Sequence, residues 1–302
     1  MAASTQLYAE LLFEMSIAGN PVQADELAKR LKTTKFVRWV NPFFKALRET
    51  LPPVAITRRV PNGTRVYCVG DIHGRDDLLE KMAERVKADT EGRSFDQVVT
   101  VFLGDYVDRS FGSMRVLERL SGSEWPTPVI ALAGNHEELL VTFLKDENVL
   151  GAWRHLGGLE TLYSYGVEVG PSIVKREFKK IQTEFAKRLP DHHRHFLETL
   201  KTSVAIGDYF FCHAGVRPGV PLNRQHRDDL LNIRDPFLFS EVEHGKLVVH
   251  GHTPSVAPEI RPNRIGIDTA AYATNRLTCL VLEADERRFL YLGESSAQGD
   301  KQ

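Results

Sequence analysis

The feature that most restricts what this chain can fold into is a repeated pattern. A short β-rich run ends in glycine and a carboxylate or amide, and a helical stretch with an apolar face follows. Arg65–Val69 leads into Gly70-Asp71-Ile72-His73-Gly74 and then Leu78–Val86. Val98–Leu103 ends in Gly104-Asp105, and Val129–Leu132 ends in Gly134-Asn135-His136-Glu137 ahead of Leu139–Leu144. Strands alternating with helices predict an α/β fold. Open α/β sheets bind ligands outside the carboxyl ends of their strands, which is where these polar residues gather.

The rest of the chain divides around this block. Residues 137–201 read as helix-rich. Strands resume at Tyr209–Cys212, Lys246–Val249, Ile265–Ile267, Leu277–Leu282 and Arg288–Leu292. Upstream, residues 1–53 read as a helical extension: Leu7, Leu11, Leu12 and Met15 share a face, Gly19-Asn20-Pro21 breaks the chain, and Pro52-Pro53 closes the region. Ala24–Leu31 has a faint helix-turn-helix look. Without a basic recognition face, a helical appendage is the better reading. The expected organisation is therefore an N-terminal extension over 1–53, a main domain over 64–293 and a disordered tail over 294–302.

Composition excludes several classes. Lys plus Arg (39) nearly balances Asp plus Glu (40), so there is no global pull toward nucleic acid or anionic membrane. No apolar stretch is long enough to span a bilayer, and Glu10 and Glu14 interrupt what would be a signal sequence. A cytoplasmic protein is expected. Cys68, Cys212 and Cys279 each sit in an apolar run without close spacing, which predicts small buried thiols and neither a disulfide nor a thiolate metal site.

One Asp or His after a strand is often a helix cap. Five such segments together are informative. They supply Asp71 and His73, Asp105 with Asp108 and Arg109, Asn135 with His136, His213, and His252. The donors are oxygens and imidazole nitrogens, a set that suits Mn²⁺, Fe or Zn²⁺.

These segments resemble the phosphoprotein phosphatase family of calcineurin-like metallophosphoesterases, in particular its bacterial serine/threonine phosphatases. The matching motifs are GDIHG at 70–74, GDYVDR at 104–109, GNHE at 134–137, HAG at 213–215 and HGHT at 250–253. The likeness runs from Arg65 to about Leu292 and leaves out the N-terminal helices. It implies a four-layer α/β/β/α sandwich and a site for two divalent metals, Mn²⁺ first, with Fe or Zn²⁺ as alternatives. By resemblance, Asp71 and His73 hold the first metal, Asp105 bridges both, and Asn135, His213 and His252 complete the second. A hydroxide between the metals would attack phosphorus in line. His136 would protonate the leaving oxygen, with Asp108 orienting it. Arg109 would contact phosphate, and Arg234 is a second candidate clamp.

Three departures stand out. Ala133 occupies a position where many members carry Arg. Ser110 replaces a common Gly, a change expected to be tolerated. Pro254 removes the second histidine of the GHxH form found in the wider group. His250 reads as structural, and His192, His193 and His195 read as the exposed start of a helix. Trp153, Tyr163 and Tyr165 are either core aromatics or groove lining. The leading function is hydrolysis of phosphoserine and phosphothreonine in proteins, with small phosphoesters as further substrates. The alternative is a nucleotide phosphoesterase such as a dinucleoside tetraphosphatase. A non-catalytic binding protein is disfavoured by the complete ligand set.

Overall fold

The computed structural model describes residues 57–122 and 124–293. The expected N-terminal helices, the helix pair at Ala24–Leu31 and the tail from 294 lie outside the described residues. In chain order the strands are β1 (Thr64–Val69), β2 (Gln97–Phe102), β3 (Val129–Ala131), β4 (Ser203–Ile206), β5 (Tyr209–Cys212), β6 (Leu247–His250), β7 (Glu259–Ile260), β8 (Arg264–Gly266), β9 (Leu277–Glu283) and β10 (Glu286–Leu292). The helices are α1 (Asp76–Thr90), α2 (Ser113–Ser121), α3 (Asn135–Phe143), α4 (Leu150–Trp153), α5 (Gly158–Ser164), α6 (Gly170–Val174), α7 (Phe178–Arg188), α8 (Asp191–Thr199), α9 (Arg227–Asn232), α10 (Asp235–Leu238) and α11 (Ala271–Thr274).

Two five-stranded sheets result, ordered β10-β9-β1-β2-β3 and β4-β5-β6-β8-β7. Strands β1, β2 and β3 are parallel, and β9 and β10 extend that sheet antiparallel. In the second sheet β5, β6 and β8 are parallel, with antiparallel β4 and β7 at its two edges.

The alternation of side chains along β1 assigns the layers. Val66 and Cys68 face inward and pack with Val101, Phe211, Val249, Ile265 and Leu280 between the sheets. Tyr67 and Val69 face the other way, onto Leu78, Leu79, Met82 and Val86 of α1 and onto the further helices of that side. Phe210, Cys212 and Val248 leave the second sheet on its outer face and pack under Leu230, Ile233 and Phe237 of the α9–α10 region. A strand apolar on both faces is what a sheet covered on both sides requires. Each fully buried aliphatic side chain contributes about 1.5–3 kcal/mol. The architecture is the expected α/β/β/α sandwich. All three cysteines are buried and unpaired, and burial pushes their thiols up.

Sequence patterning misses β4 and β7. Both are sheet edges, and β4 is only half-buried, so neither carries the apolar run that marks a central strand.

Candidate active site

Five parallel strands point their carboxyl ends at one place. Asp71 and His73 follow β1, and Asp105, Asp108 and Arg109 follow β2. Asn135 and His136 open α3 after β3, while His213 and His252 follow β5 and β6. The turns are tight. Among the described residues, nine non-glycine positions have positive φ, and His73, Asp105, Asp108, Arg109 and His252 are five of them. Strain of this kind concentrates where a side chain must be aimed. Two glycines yield space to carboxylates. A Cβ at Gly134 would stand 2.1 Å from Asp105 Oδ1, and one at Gly251 would stand 2.0 Å from Asp71 Oδ1.

The six expected metal ligands converge. Asp105 offers one oxygen to each side: Oδ2 lies 3.5 Å from His73 Nε2, and Oδ1 lies 3.4 Å from His213 Nε2. Asn135 Oδ1 lies 3.0 Å from His213 Nε2 and 2.9 Å from His252 Nδ1. The backbone N–H of His252 donates to Asp71 Oδ2 at 3.0 Å. Two overlapping sets of donors result, His73–Asp105–His136 and Asp105–His213–His252, each with its donor atoms within 4.8 Å of one another. Behind them, His73 Nδ1 donates to the Val107 carbonyl at 2.9 Å and His213 Nδ1 to the Leu103 carbonyl at 3.0 Å. Those outer bonds leave the Nε2 lone pairs facing the site, as a metal-ligating imidazole needs.

Two observations fit cations here. Asp71 Oδ1 is buried with no hydrogen-bond partner, which is costly unless something else satisfies it. Burial pulls His73 and His252 down to about 3 and also lowers His213, so these rings are neutral near pH 7. Burial, then the charges of Asp268 and Asp105, pushes the Asp71 carboxyl well up. Close buried carboxylates beside neutral imidazoles form a donor set that lacks its positive charge.

His136 behaves differently. Its Nδ1 is 2.6 Å from Asp108 Oδ2, and its Nε2 faces Asp105 Oδ2 at 3.8 Å. Burial alone would lower this histidine, but Asp105 and Asp108 outweigh burial and raise it to about 9. Asp108 is itself fully held. Trp153 Nε1 donates to Oδ2 at 2.7 Å, Thr161 Oγ1 donates to Oδ1 at 2.6 Å, and the Asp108 N–H donates to Thr161 Oγ1 at 2.9 Å. Trp153 ends α4 and Thr161 lies within α5, so the helical insert builds the socket of the dyad.

Both candidate arginines reach the mouth of the site. Arg109 Nη1 donates to the Tyr272 hydroxyl at 2.7 Å, and its guanidinium lies 4.4 Å from that ring's centroid. Arg234 donates to Thr253 Oγ1 and to the His252 carbonyl, both at 3.3 Å.

Sequence reasoning missed four contributors. Glu137 accepts the N–H groups of Asp105 (2.8 Å), Tyr106 (2.7 Å), Val107 (3.2 Å) and Gly134 (2.9 Å), and so ties the β2 and β3 loops together. Its place in GNHE was the available signal. Tyr272 and the buried carboxylate of Asp268 come from the β8–β9 connection, where nothing in the local sequence marks a site. Thr161 had no signal beyond the neighbouring glycines. Trp153, left open between core and groove, is core and holds Asp108. Tyr165 is core, whereas Tyr163 is exposed.

One expectation is corrected. His193 is not on the exposed start of a helix: it is fully buried, because α8 turns that face onto Tyr165. His250 is buried, and its Nδ1 bonds the Gly251 carbonyl. Ser110 is absent from the positive-φ positions, so its turn does not require glycine. Ala133 is buried, and its N–H donates to the Lys201 carbonyl.

The sequence profile of the calcineurin-like phosphoesterases matches residues 64–282. An asymmetrical bis(5'-nucleosyl)-tetraphosphatase of Bacillus velezensis is 28% identical over 234 residues, covering 70% of this chain and 86% of that protein. The same-named protein of Bacillus subtilis is 28% identical over 239 residues, covering 70% and 87%. A serine/threonine-protein phosphatase of Saccharomyces cerevisiae is 36% identical over 85 residues, which is 27% of this chain and 25% of that protein. Among solved structures, a proposed diadenosine tetraphosphatase shares the fold, with a TM-score of 0.52 at 20% identity over 81% of this chain and 97% of that one.

Proposed function

The chain belongs to the calcineurin-like phosphoesterase family, and from that premise we propose that it hydrolyses phosphomonoesters with poor leaving groups, serine and threonine phosphates in proteins first among them. The observation that carries this reading is the buried His136–Asp108 pair, 2.6 Å apart. A carboxylate so placed keeps the imidazole protonated and aimed. The proton on His136 Nε2 passes to the oxygen leaving phosphorus. An alkoxide cannot depart readily without one, whereas the phosphate end of a nucleotide can.

Asp71, His73 and Asp105 would hold one divalent cation. Asp105, Asn135, His213 and His252 would hold a second. The oxygen and nitrogen donors suit Mn²⁺, with Fe and Zn²⁺ as alternatives. When bound, such cations supply Lewis acidity toward phosphate oxygens and a water nucleophile that ionises near neutral pH. Arg109 grips phosphate oxygens with a planar guanidinium, which the Tyr272 hydroxyl and ring position. Arg234 stands between α9 and α10, donates to the carbonyl of His252 and adds a second positive charge.

A second reading, hydrolysis of dinucleoside tetraphosphates, is supported by the likeness to the Bacillus tetraphosphatases over 70% of this chain. Side-by-side assays with Mn²⁺ separate the two. A higher kcat/KM on a phosphoserine peptide than on diadenosine tetraphosphate is expected. The reverse order would assign the nucleotide reading.

A further inference from the structure

A second convergence of ligating groups lies where α2 meets α8. Glu118 stands near the end of α2, and His192 and His193 stand in the first turn of α8. The Nε2 atoms of both histidines are 3.0 Å from the same oxygen, Glu118 Oε2. All three donor atoms lie within 4.8 Å of one another. Consecutive helical residues point about 100° apart, so two neighbouring imidazoles do not ordinarily share a partner. Here the two rings meet edge to face, with centroids 4.4 Å apart.

The buried member is held from behind. His193 has no exposed surface, and its Nδ1 lies 2.8 Å from the Tyr165 hydroxyl. An outer hydrogen bond of this kind fixes ring orientation and leaves Nε2 facing Glu118. Burial, and then His192, lowers His193, which keeps the ring neutral. His192 and Glu118 are about half exposed, at 50% and 55%, so the cluster opens to solvent on one side.

We propose that Glu118, His192 and His193 form a zinc site, separate from the active site, that ties α2 to α8. Two imidazoles and one carboxylate are a borderline donor set suited to Zn²⁺, with water in the fourth position. Bonds of about 2.0–2.1 Å place tetrahedral ligands about 3.4 Å apart. The two histidine-to-Glu118 separations of 3.0 Å lie close to that value, and the two imidazole nitrogens are within 4.8 Å of each other. The site braces the helix that begins at Ser113, whose hydroxyl accepts the Asp108 N–H at 3.1 Å. With no cation, the same groups are a surface hydrogen-bonded cluster of small energetic weight.

The test counts total metal per chain after equilibration with Mn²⁺ and Zn²⁺ and removal of excess. Wild type should retain one more equivalent than Glu118→Ala and one more than His192→Ala, because each loses a ligand. Neither residue touches the active site, so turnover of p-nitrophenyl phosphate in both variants should report an intact fold and intact catalytic metals. With Co²⁺ in place of Zn²⁺, the wild-type spectrum minus that of His192→Ala should show the visible bands of a tetrahedral ion. Equal metal content in wild type and both variants, with no difference spectrum, would overturn the site and leave the hydrogen-bonded cluster.

Discussion

His136 is where the proposed chemistry is most exposed to test. If it protonates the leaving oxygen, its weight depends on how poor that leaving group is. His136→Asn should slow a phosphoserine peptide by about 10²–10⁴-fold, the usual contribution of a general acid, and p-nitrophenyl phosphate far less. Equal losses on both substrates, with metal content unchanged, would remove His136 as the acid. Protonation also has a stability signature. His136 is raised to about 9 in the folded metal-free protein, against about 6.5 for a free histidine. Its contribution is therefore full below about pH 6.5 and is lost as the pH climbs through about 9. Urea unfolding of chelated wild type should weaken over that window more than unfolding of His136→Asn. Parallel curves for the two proteins would contradict the raised value. Gly251 makes a second residue-level case. Its Cβ would stand 2.0 Å from Asp71 Oδ1, so Gly251→Ala must push that carboxylate aside. Reduced metal retention and lower turnover in a folded protein are expected. Unchanged metal content would show that Asp71 can move without consequence.

At the scale of elements, the site depends on parts that carry no reacting group. The insert between β3 and β4 delivers Trp153 from α4 and Thr161 from α5 to the two oxygens of Asp108. Trp153→Phe keeps an aromatic ring and deletes the donor at 2.7 Å, leaving a buried carboxylate oxygen one bond short. Leaving a buried acceptor less satisfied costs about 1–3 kcal/mol. Thermal unfolding should register that loss. The peptide-to-aryl-phosphate activity ratio should fall in the direction of His136→Asn but by less, since the tryptophan acts through Asp108. A lower melting temperature with an unchanged ratio would make the tryptophan a packing residue only.

For the molecule as a whole, the site is a joint between sheets. Asp71, Asp105 and Asn135 come from the first sheet, and His213 and His252 from the second, around a buried Asp71 oxygen that lacks a partner. Cations bound only by the folded state would add stability by mass action, about 2.7 kcal/mol per site at a hundredfold excess over Kd. Chelation should therefore abolish turnover and lower the melting temperature together, with Mn²⁺ restoring both. Full activity in metal-stripped protein would sink the two-metal mechanism. Activity lost without any thermal shift would show that the sheets do not lean on the metals.

Much of this was legible in one dimension because the strands that carry the site are parallel and apolar, and all but β3 lie inside their sheets. A strand covered on both faces needs an unbroken apolar run, and its carboxyl end must then turn sharply, so Gly70-Asp71, Gly104-Asp105 and Gly134-Asn135 stand out of the sequence. Edge strands β4 and β7 lack that pressure and leave no such trace. Contacts between residues distant in the chain leave none either. Nothing near Trp153 or Thr161 in the sequence indicates a bond to Asp108, 45 and 53 positions away. Nothing near Tyr272 indicates Arg109, 163 positions away. His193 looks solvated beside two other histidines, and only the packing of α8 against Tyr165 and α2 decides that it is buried and faces Glu118. Local sequence determines which strands form and where they end, because backbone geometry and burial act within a few residues. Which side chains meet across those ends is decided when two sheets and their helices close on one another.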